Sequence, residues 1–223
     1  MVRLFFYFYT KNAYTTAIMI ITYHSADFFK VTFGDTTLAV NPVSKDSTVK
    51  SSRFGADIAI ISVNDAEHNG ADAVSRNEKA PFIVNGPGEY EVSGVFIKGF
   101  LSKSKDGKLN TIYTINMEGM NLCFLGAFGE DVLPATAKEA TENADILFVP
   151  IGGENNIDAH TAEKIANQFE PKIIIPASHD ATTLKTFLKE AGAESAKPVE
   201  KLTVKRKDIE TMEGEVVVLS SVV

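Results

Sequence analysis

Short apolar runs with the β-branched and aromatic composition of strands fill the first two-thirds of the chain. Residues that favour turns separate several of them, and Gly34-Asp35, Asp106-Gly107 and Glu118-Gly119 predict turns between strands. The predicted strands are 20–23, 28–33, 37–40, 56–62, 82–84, 92–98, 111–117 and 122–125. This part of the chain therefore predicts a protein rich in β-sheet.

The last third of the chain alternates between helical and strand patterns. Asp158 is a candidate N-cap for the second helix, and Pro176 is predicted to close the second strand. The predicted helices are 131–143, 160–169 and 181–191, and the predicted strands are 146–150, 173–175 and 216–219. Strands followed by strand–helix–strand units predict an α/β protein in which helices pack outside the sheets.

Composition places the chain among ordinary globular proteins. It has 223 residues, of which 44% are hydrophobic and 23% charged, and this length is enough to bury a full core. The net charge of -7 argues against general nucleic-acid binding. Cys123 is the single cysteine, so no internal disulfide can form, and we expect a cytoplasmic protein.

The first 18 residues differ from the rest of the chain. The aromatic run 4–9 is too short to span a membrane, and Met19 begins a segment with the pattern of a first strand. We therefore predict an extension at 1–18 outside the fold and a single domain at 19–223 with no membrane partner. An edge strand or a weak membrane-surface contact is the alternative for 1–18.

The stretch 56–70 combines the pattern of a buried strand with a polar loop. The apolar run is followed by Asn64, Asp65, Glu67 and His68, whose side chains can bind metals or move protons. Proteins of the α/β class place their binding sites where buried strands end. The sequence therefore predicts a functional site in this loop.

Six segments, in this order, resemble the metallo-β-lactamase-fold superfamily. They are TYHSADFFKVTFGDTTLAVNP (22–42), ADIAIISVNDAEHNG (56–70), NGPGEYEVSGVFIKG (85–99), NTIYTINMEGMNLCFLGAFG (110–129), ADILFVPIGG (144–153) and PKIIIPASH (171–179). The resemblance covers 19–223 and is nearest to a small cytoplasmic branch of zinc-dependent hydrolases similar to the ascorbate-phosphate lactonase. It implies an α/β fold built as a four-layer αββα sandwich.

The chain departs from the ligand pattern of that family at most positions. Val63 and Asp65 stand at the first two histidine positions of the metal-binding loop, and Glu67 replaces its aspartate. Only His68 of that loop and the later His179 are retained.

Three further positions also differ from the family pattern. Phe124 stands at the position of the third ligand of the first metal, and Ala127 at that of the bridging carboxylate. Asn41 replaces an aspartate of the opening hairpin. If the family's two metal sites are carried over to this chain, most of their ligands are missing.

The resemblance leaves one candidate metal site, made of Glu67, His68 and His179, with Asp65 as a possible general base. His68 is either a metal ligand or a loop histidine bonded to a backbone carbonyl. Asp65 and Glu67 are alternatively solvated loop acids or helix caps. The remaining histidines, His24 and His160, are expected on the rim of the same cleft, although His160 could also be a first-turn helix residue.

Three functional hypotheses follow from these residues. In the first, the protein has a degenerate metal site, does not catalyse hydrolysis, and binds a small-molecule ligand or partner through the former catalytic cleft. In the second, it is a divergent hydrolase of a phosphorylated, lactone or ester substrate that uses one divalent metal, zinc being the expected ion. In the third, the fold serves as a homo-oligomeric interaction module. The expected cofactor is accordingly either none or one divalent metal.

Overall fold

The structure is a computed structural model that describes residues 18–77, 79–141, 144–152 and 155–223. The predicted extension therefore lies outside the described residues except for Ile18. The same holds for residues 142 and 143 at the end of the first predicted helix.

Two mixed sheets form the centre of the fold. The first sheet contains β1 (Met19–Tyr23), β2 (Phe29–Phe33), β3 (Thr36–Val40), β4 (Ile58–Ile61), β5 (Phe82–Asn85) and β12 (Leu202–Val204). The second contains β6 (Gly88–Val92), β7 (Val95–Lys103), β8 (Leu109–Met117), β9 (Met120–Phe124), β10 (Ile146–Pro150), β11 (Ile173–Ala177) and β13 (Glu215–Val216). Their strand orders are β12-β1-β2-β3-β4-β5 and β13-β11-β10-β9-β8-β7-β6.

Each sheet changes from antiparallel to parallel pairing part of the way across. In the first sheet, β1, β2 and β3 form an antiparallel meander, β4 then pairs in parallel with β3, and β5 pairs in parallel with β4. In the second sheet, β6 to β9 are antiparallel, and β10, β11 and β13 continue in parallel from β9. The carboxyl ends of these parallel strands present loops along one edge of the sandwich, where an α/β protein places its site.

The sandwich is held together by three apolar clusters. The largest fills the space between the sheets and joins residues such as Ile21 and Ile60 of the first sheet to Ile115 and Ile175 of the second. A second cluster packs α2 (Ala159–Phe169) and α3 (Ala181–Glu190) on the outer face of the second sheet.

The third cluster covers the outer face of the first sheet, where the 3₁₀ helix Ala71–Val74 and the loop between β3 and β4 provide a thin layer. Two further helices are short: α1 (Ala135–Thr141) and α4 (Arg206–Ile209). The predicted α/β sandwich of the αββα type is confirmed.

The glycine-rich segment 85–90 links the two sheets. The Tyr113 hydroxyl of β8 donates to the carbonyl oxygen of Ile61 at 2.8 Å and accepts from the amide of Gly86 at 2.8 Å. A Cβ atom at Gly99 would lie 2.8 Å from the Gly86 oxygen, so the close approach of these strands requires glycine. This stretch therefore has a structural role at the crossing between β5 and β6.

Most predicted strands are present, with ends that differ by at most two residues. Three predictions are wrong. The segment 92–98 is not one strand, because β6 ends at Val92 and β7 begins at Val95 after the turn at Ser93-Gly94. Pro176 does not close its strand but lies inside β11, paired with Val149.

The last predicted strand, 216–219, is also wrong in extent, because β13 covers only Glu215–Val216 and Leu219 forms an isolated bridge with Val199. The N-cap at Asp158 is confirmed, since its side chain accepts from the amide of Thr161 at 2.8 Å. Among the described residues, no helix is both long enough and apolar enough to cross a membrane.

Candidate functional site

A cleft of about 550 Å³ opens at the edge of the sandwich where the parallel strands end. Its described lining comes from the loops that follow β1, β4, β7, β9, β10 and β11. The residues are Tyr23, Ala26, Asp27, Val63, Asp65, Ala66, Glu67, His68, Ser104, Asp106, Lys108, Ala127, Gly152, Asn155, Asn156, Ser178, His179 and Asp180. Asp65, Glu67, His68 and His179 therefore share this cleft, as the sequence predicts.

His68 is bonded through both ring nitrogens to carboxylates. Nδ1 lies 2.7 Å from Asp65 Oδ1, and Nε2 lies 3.2 Å from Asp27 Oδ2. His68 and Asp27 are buried, with 7% and 3% of their surfaces exposed.

Burial by itself would lower the pKa of His68, but the hydrogen bonds and charges of Asp27 and Asp65 outweigh that effect and raise it to about 10. His68 is therefore an imidazolium that donates to two carboxylates at neutral pH.

The second carboxylate oxygen of Asp65 pairs with another cation, Lys108. Lys108 Nζ lies 3.3 Å from Asp65 Oδ2 and 3.3 Å from Asp106 Oδ2. Burial acts to raise the pKa of Asp65, but the hydrogen bonds with His68, Glu67 and Lys108 and the charge of His68 lower it to about 2. A carboxylate with so low a pKa is a weak proton acceptor, so these surroundings disfavour the predicted general-base role of Asp65.

Three apolar residues occupy positions that the family resemblance assigns to metal ligands. Val63 and Ala127 are buried and line the cleft. The Phe124 ring is stacked on Phe148, with centroids 3.8 Å apart, and also packs against Phe29. None of these side chains has an atom that can coordinate a metal.

Asn41 stabilises the start of the polar loop. Its Oδ1 accepts hydrogen bonds from both the amide and the hydroxyl of Ser62, each at 2.9 Å. Asn41 is buried and has a φ of 51°, a left-handed conformation that asparagine adopts more readily than most residues. This residue therefore fixes the ends of β3 and β4 rather than presenting a functional group to the cleft.

His179 follows β11 and forms one wall of the cleft. Its ring is stacked against Tyr23, with centroids 6.1 Å apart. Burial lowers the pKa of His179, so the ring is neutral at physiological pH. The Nε2 atom is shielded from solvent and has no hydrogen-bond partner among the described residues.

His24 and His160 lie elsewhere than the sequence predicts, and neither is among the described residues that line the cleft. The His24 ring packs against Phe28 and Phe54, and its Nδ1 lies 2.5 Å from Ser52 Oγ. Its position on the outer side of the first sheet follows from the alternation of side chains along β1.

His160 is exposed at the start of α2, and its Nδ1 lies 3.4 Å from Glu190 Oε2 at the end of α3. It accordingly fits the alternative reading of a first-turn helix residue.

The side chains of the predicted single-metal site do not form a metal-binding group. Glu67 is exposed, and no cluster of three or more metal-capable histidine, cysteine, aspartate or glutamate residues is present in the part of the chain that the structure describes. His68 would have to lose a proton and one of its two carboxylate bonds before it could bind an ion, since a ligating histidine is neutral and binds through one ring nitrogen. As arranged, these residues do not fit a divalent metal, and the predicted site stays a prediction.

Sequence reasoning missed the residues that set the charge of this cleft. Asp27 and Lys108 lie 41 and 40 positions from His68 along the chain, so no local motif connects them. The predicted turn at Asp106-Gly107 could have indicated that Lys108 lies at the edge of the sheet, because the chain reverses there. The signal for Asp27 was its place just after the strand that ends at Tyr23.

A family model described as "Beta-lactamase superfamily domain" matches residues 20–178. No curated protein matches the sequence. The family match covers more than half of the chain and includes most of the cleft.

Solved structures share the fold over nearly the whole chain. A candidate zinc-dependent hydrolase of the metallo-β-lactamase superfamily from Thermotoga maritima is 28% identical, with a TM-score of 0.73 over 90% of this chain and 98% of that one. A candidate metal-dependent hydrolase from Parabacteroides distasonis is 16% identical, with a TM-score of 0.65 over 92% and 94% of the two chains. The metallo-β-lactamase fold protein YhfI from Bacillus subtilis is 13% identical, with a TM-score of 0.61 over 92% and 98%.

Proposed function

Since this chain belongs to the β-lactamase superfamily, we propose that it is a member whose cleft binds a small molecule without metal-dependent hydrolysis. The fold is that of the family, and the proposal is that the chemistry within the cleft differs. The proposal concerns what the cleft does, because fold alone does not decide activity.

One observation carries the proposal: two side-chain cations stand among the carboxylates of the cleft. The His68 imidazolium lies between Asp27 and Asp65, and the Lys108 ammonium lies between Asp65 and Asp106. A two-metal hydrolase uses its ions to hold and activate water, and that role requires free carboxylates and neutral imidazoles. Here Asp27, Asp65 and Asp106 are already paired with His68 and Lys108.

The metal content of the purified protein tests this proposal. Protein prepared without chelator is measured by mass spectrometry beside the double variant His68→Ala, His179→Ala and the exposed control His160→Ala. We expect less than about 0.1 equivalent of zinc, manganese or iron in all three proteins. About one equivalent in the wild type and in His160→Ala, lost in the double variant, would favour the single-metal hydrolase instead.

Hydrolysis is then assayed with phosphate esters and lactones in the presence of each added metal. We expect no turnover above that of the double variant. Turnover that depends on an added metal and on both histidines would contradict the proposal. Binding is measured separately, by a thermal-shift screen of small molecules in chelator-treated protein, and a ligand that raises the melting temperature supports the proposal.

The third hypothesis, a homo-oligomeric interaction module, stays a prediction. Phe82 and Ile83 on the edge strand β5 are about half exposed, and an exposed apolar edge strand favours pairing with another chain. Sedimentation equilibrium tests this hypothesis, because a monomer at micromolar concentration would exclude a stable oligomer.

A further inference from the structure

Residues 48–54, which we call the strap, cross the outer face of the first sheet without forming a helix or a strand. Val49 and Phe54 pack against the third apolar cluster. Among the described residues, no hydrogen bond between main-chain atoms forms within the strap or joins it to the rest of the fold. Segments with few main-chain hydrogen bonds open locally more easily than the sheets they cover. The strap is therefore held in place by side chains.

His24 is the titratable side chain that lies between the sheet and the strap. On the side of the sheet, its Nε2 lies 2.9 Å from Thr22 Oγ1, and its ring packs against Phe28 with centroids 5.2 Å apart. On the side of the strap, its Nδ1 lies 2.5 Å from Ser52 Oγ, and its ring centroid lies 4.9 Å from that of Phe54. His24 is only 6% exposed. Because ladder pairing holds β1 in place, water can reach the ring only if the strap moves.

The other contacts of the strap involve the same small region. The ring of Phe54 is stacked on that of Phe28, with centroids 5.3 Å apart, and Lys30 Nζ lies 4.9 Å from the Phe54 centroid. The Ser25 hydroxyl donates to the carbonyl oxygen of Lys50 at 3.0 Å. Contacts to the turn after β1 and to the start of β2 therefore hold the strap at the same place as His24.

The charged groups near His24 offer no counter-charge to a protonated ring. Burial, and then the charge of Lys30 on β2, lower the pKa of His24 to about 4. The strap contributes Lys50 and Arg53 and contains no acidic residue. Asp27 of the neighbouring turn is paired with another histidine, and no carboxylate of the described residues lies within ion-pair distance of the His24 ring. The closed strap therefore requires a neutral His24.

We propose that the strap is a cover that opens in acid: protonation of His24 releases residues 48–54 and exposes Phe28 and the third apolar cluster. This inference does not depend on the proposed function, because neither His24 nor the strap lines the cleft.

The direction of the effect follows from proton binding. The pKa of His24 is about 4 under the closed strap and close to its ordinary value of 6.5 when the strap is open, so the open form binds the proton more tightly. A fall in pH between these values therefore favours opening. The equilibrium constant for opening should rise roughly 25-fold between about pH 7.5 and pH 5.

A thiol placed under the strap measures this opening. Ala39 is fully buried in the third cluster and pairs with Lys30 across β2 and β3, so the thiol of Ala39→Cys should react with a dipyridyl disulfide only when the strap opens. The rate is measured at both pH values, and each rate is divided by that of the urea-unfolded protein at the same pH. We expect the corrected rate to be roughly 25-fold higher at the lower pH.

The natural Cys123 provides an internal control. It is fully buried in the second cluster, beneath the helices, so it should react only when the whole protein unfolds. Peptide mass spectrometry separates the two thiols. If the introduced thiol does not permit folding, Ala59→Cys is the second reporter, because Ala59 is equally buried in the third cluster.

Two pairs of variants in the reporter protein test the role of His24. His24→Gln removes the titrating ring, so the ratio of rates between the two pH values should fall below about threefold. His160→Gln, at an exposed histidine, is the matched control and should keep the full ratio. Ser52→Ala should raise the rate at pH 7.5 about fivefold through the lost hydrogen bond. Ser51→Ala, beside it in the strap, should leave that rate unchanged.

Each outcome supports or overturns the inference. A strong pH dependence that is lost in His24→Gln and kept in His160→Gln supports it. A ratio below about threefold in the reporter protein, or an undiminished ratio in His24→Gln, would overturn it. Equal reaction of Cys123 and the introduced thiol at pH 5 would also overturn it, because the protein would then be unfolding as a whole.

Discussion

At the scale of single residues, the environment of His68 decides the chemistry of the cleft. A histidine in a polar loop is chemically ambiguous, because its ordinary pKa lies near physiological pH. Asp27 and Asp65 remove that ambiguity by accepting a hydrogen bond from each ring nitrogen. Asp65 could be found from its neighbouring position, whereas Asp27 reaches His68 only through the fold. Asp65, Glu67, His68 and His179 were therefore predictable as residues of one cleft, whereas Asp27 and the pairing within the cleft were not.

Replacing His68 should destabilise the protein strongly. His68→Leu leaves Asp27 buried without a counter-charge, and removing one partner of a buried ion pair costs about 3–5 kcal/mol. Urea denaturation at pH 6 measures the loss. His160→Leu is the matched control and should change the free energy of unfolding by less than about 0.5 kcal/mol, because its ring is exposed. A loss below about 1 kcal/mol for His68→Leu would show that the pair is not formed.

The same histidine predicts a dependence of stability on alkaline pH. Its pKa is about 10 in the folded protein and 6.5 in the reference state, so the folded protein binds the extra proton between these values. The stabilisation is complete below pH 6.5 and declines as pH rises towards 10. We expect the free energy of unfolding of the wild type to fall through this window. His68→Leu should show a much smaller fall, and parallel curves would contradict the assignment.

His24 should make the stability of the protein depend on pH in the acidic range. Burial, and then the charge of Lys30, lower its pKa to about 4, so the folded protein binds fewer protons than the unfolded chain between pH 4 and 6.5. Stability therefore falls as pH decreases through this window, by about 2–3 kcal/mol for a shift of this size. Urea titrations should show a smaller acid loss in His24→Leu than in wild type. An identical loss in both would exclude His24 as the source.

At the scale of elements, the sequence pattern predicted the strands and helix caps that depend on neighbouring residues. Apolar β-branched runs became strands, and the side chain of Asp158 caps α2. The three-residue strand β12 was missed because its strand character comes from pairing with β1, about 180 positions away in the chain. Pro176 was predicted to end β11, but its fixed φ is compatible with an extended backbone and the strand continues to Ala177.

The hydrogen bonds of the Tyr113 hydroxyl should stabilise the contact between the two sheets. Tyr113→Phe leaves the Ile61 carbonyl and the Gly86 amide without their bonds, and unsatisfied buried groups cost about 1–3 kcal/mol. Tyr90→Phe, which removes one bond to the Gly86 oxygen at a less buried position, should cost below about 1 kcal/mol. Urea denaturation compares the two variants. A larger loss of stability in Tyr90→Phe than in Tyr113→Phe would contradict this prediction.

At the scale of the whole molecule, three apolar clusters hold the layers of the fold together. The largest joins both sheets, and the others attach the outer layers. The sandwich was predictable because six segments in family order carry its strands. Which functional groups meet at its edge was not predictable, because the edge collects loops from both sheets and small shifts in each loop change the partners.

Chelator treatment should therefore leave the stability of the whole protein unchanged. We expect thermal unfolding with and without excess chelator to coincide within about 1 °C, and added zinc to raise the melting temperature by no more than that. His68→Ala serves as a comparison, because it frees both carboxylates and should be the more sensitive to zinc. A rise of several degrees with zinc in the wild type would reveal a bound ion.

The stack of Phe124 on Phe148 also limits how this position can change in evolution. A histidine at position 124 would place an imidazole in an apolar interior, against the rings of Phe29 and Phe148. That substitution alone would lower the stability of the protein, and the side chains of Val63 and Ala127 would offer no further metal ligand. Selection against the loss of stability would remove it, so a metal ligand at position 124 cannot be reached by this single step.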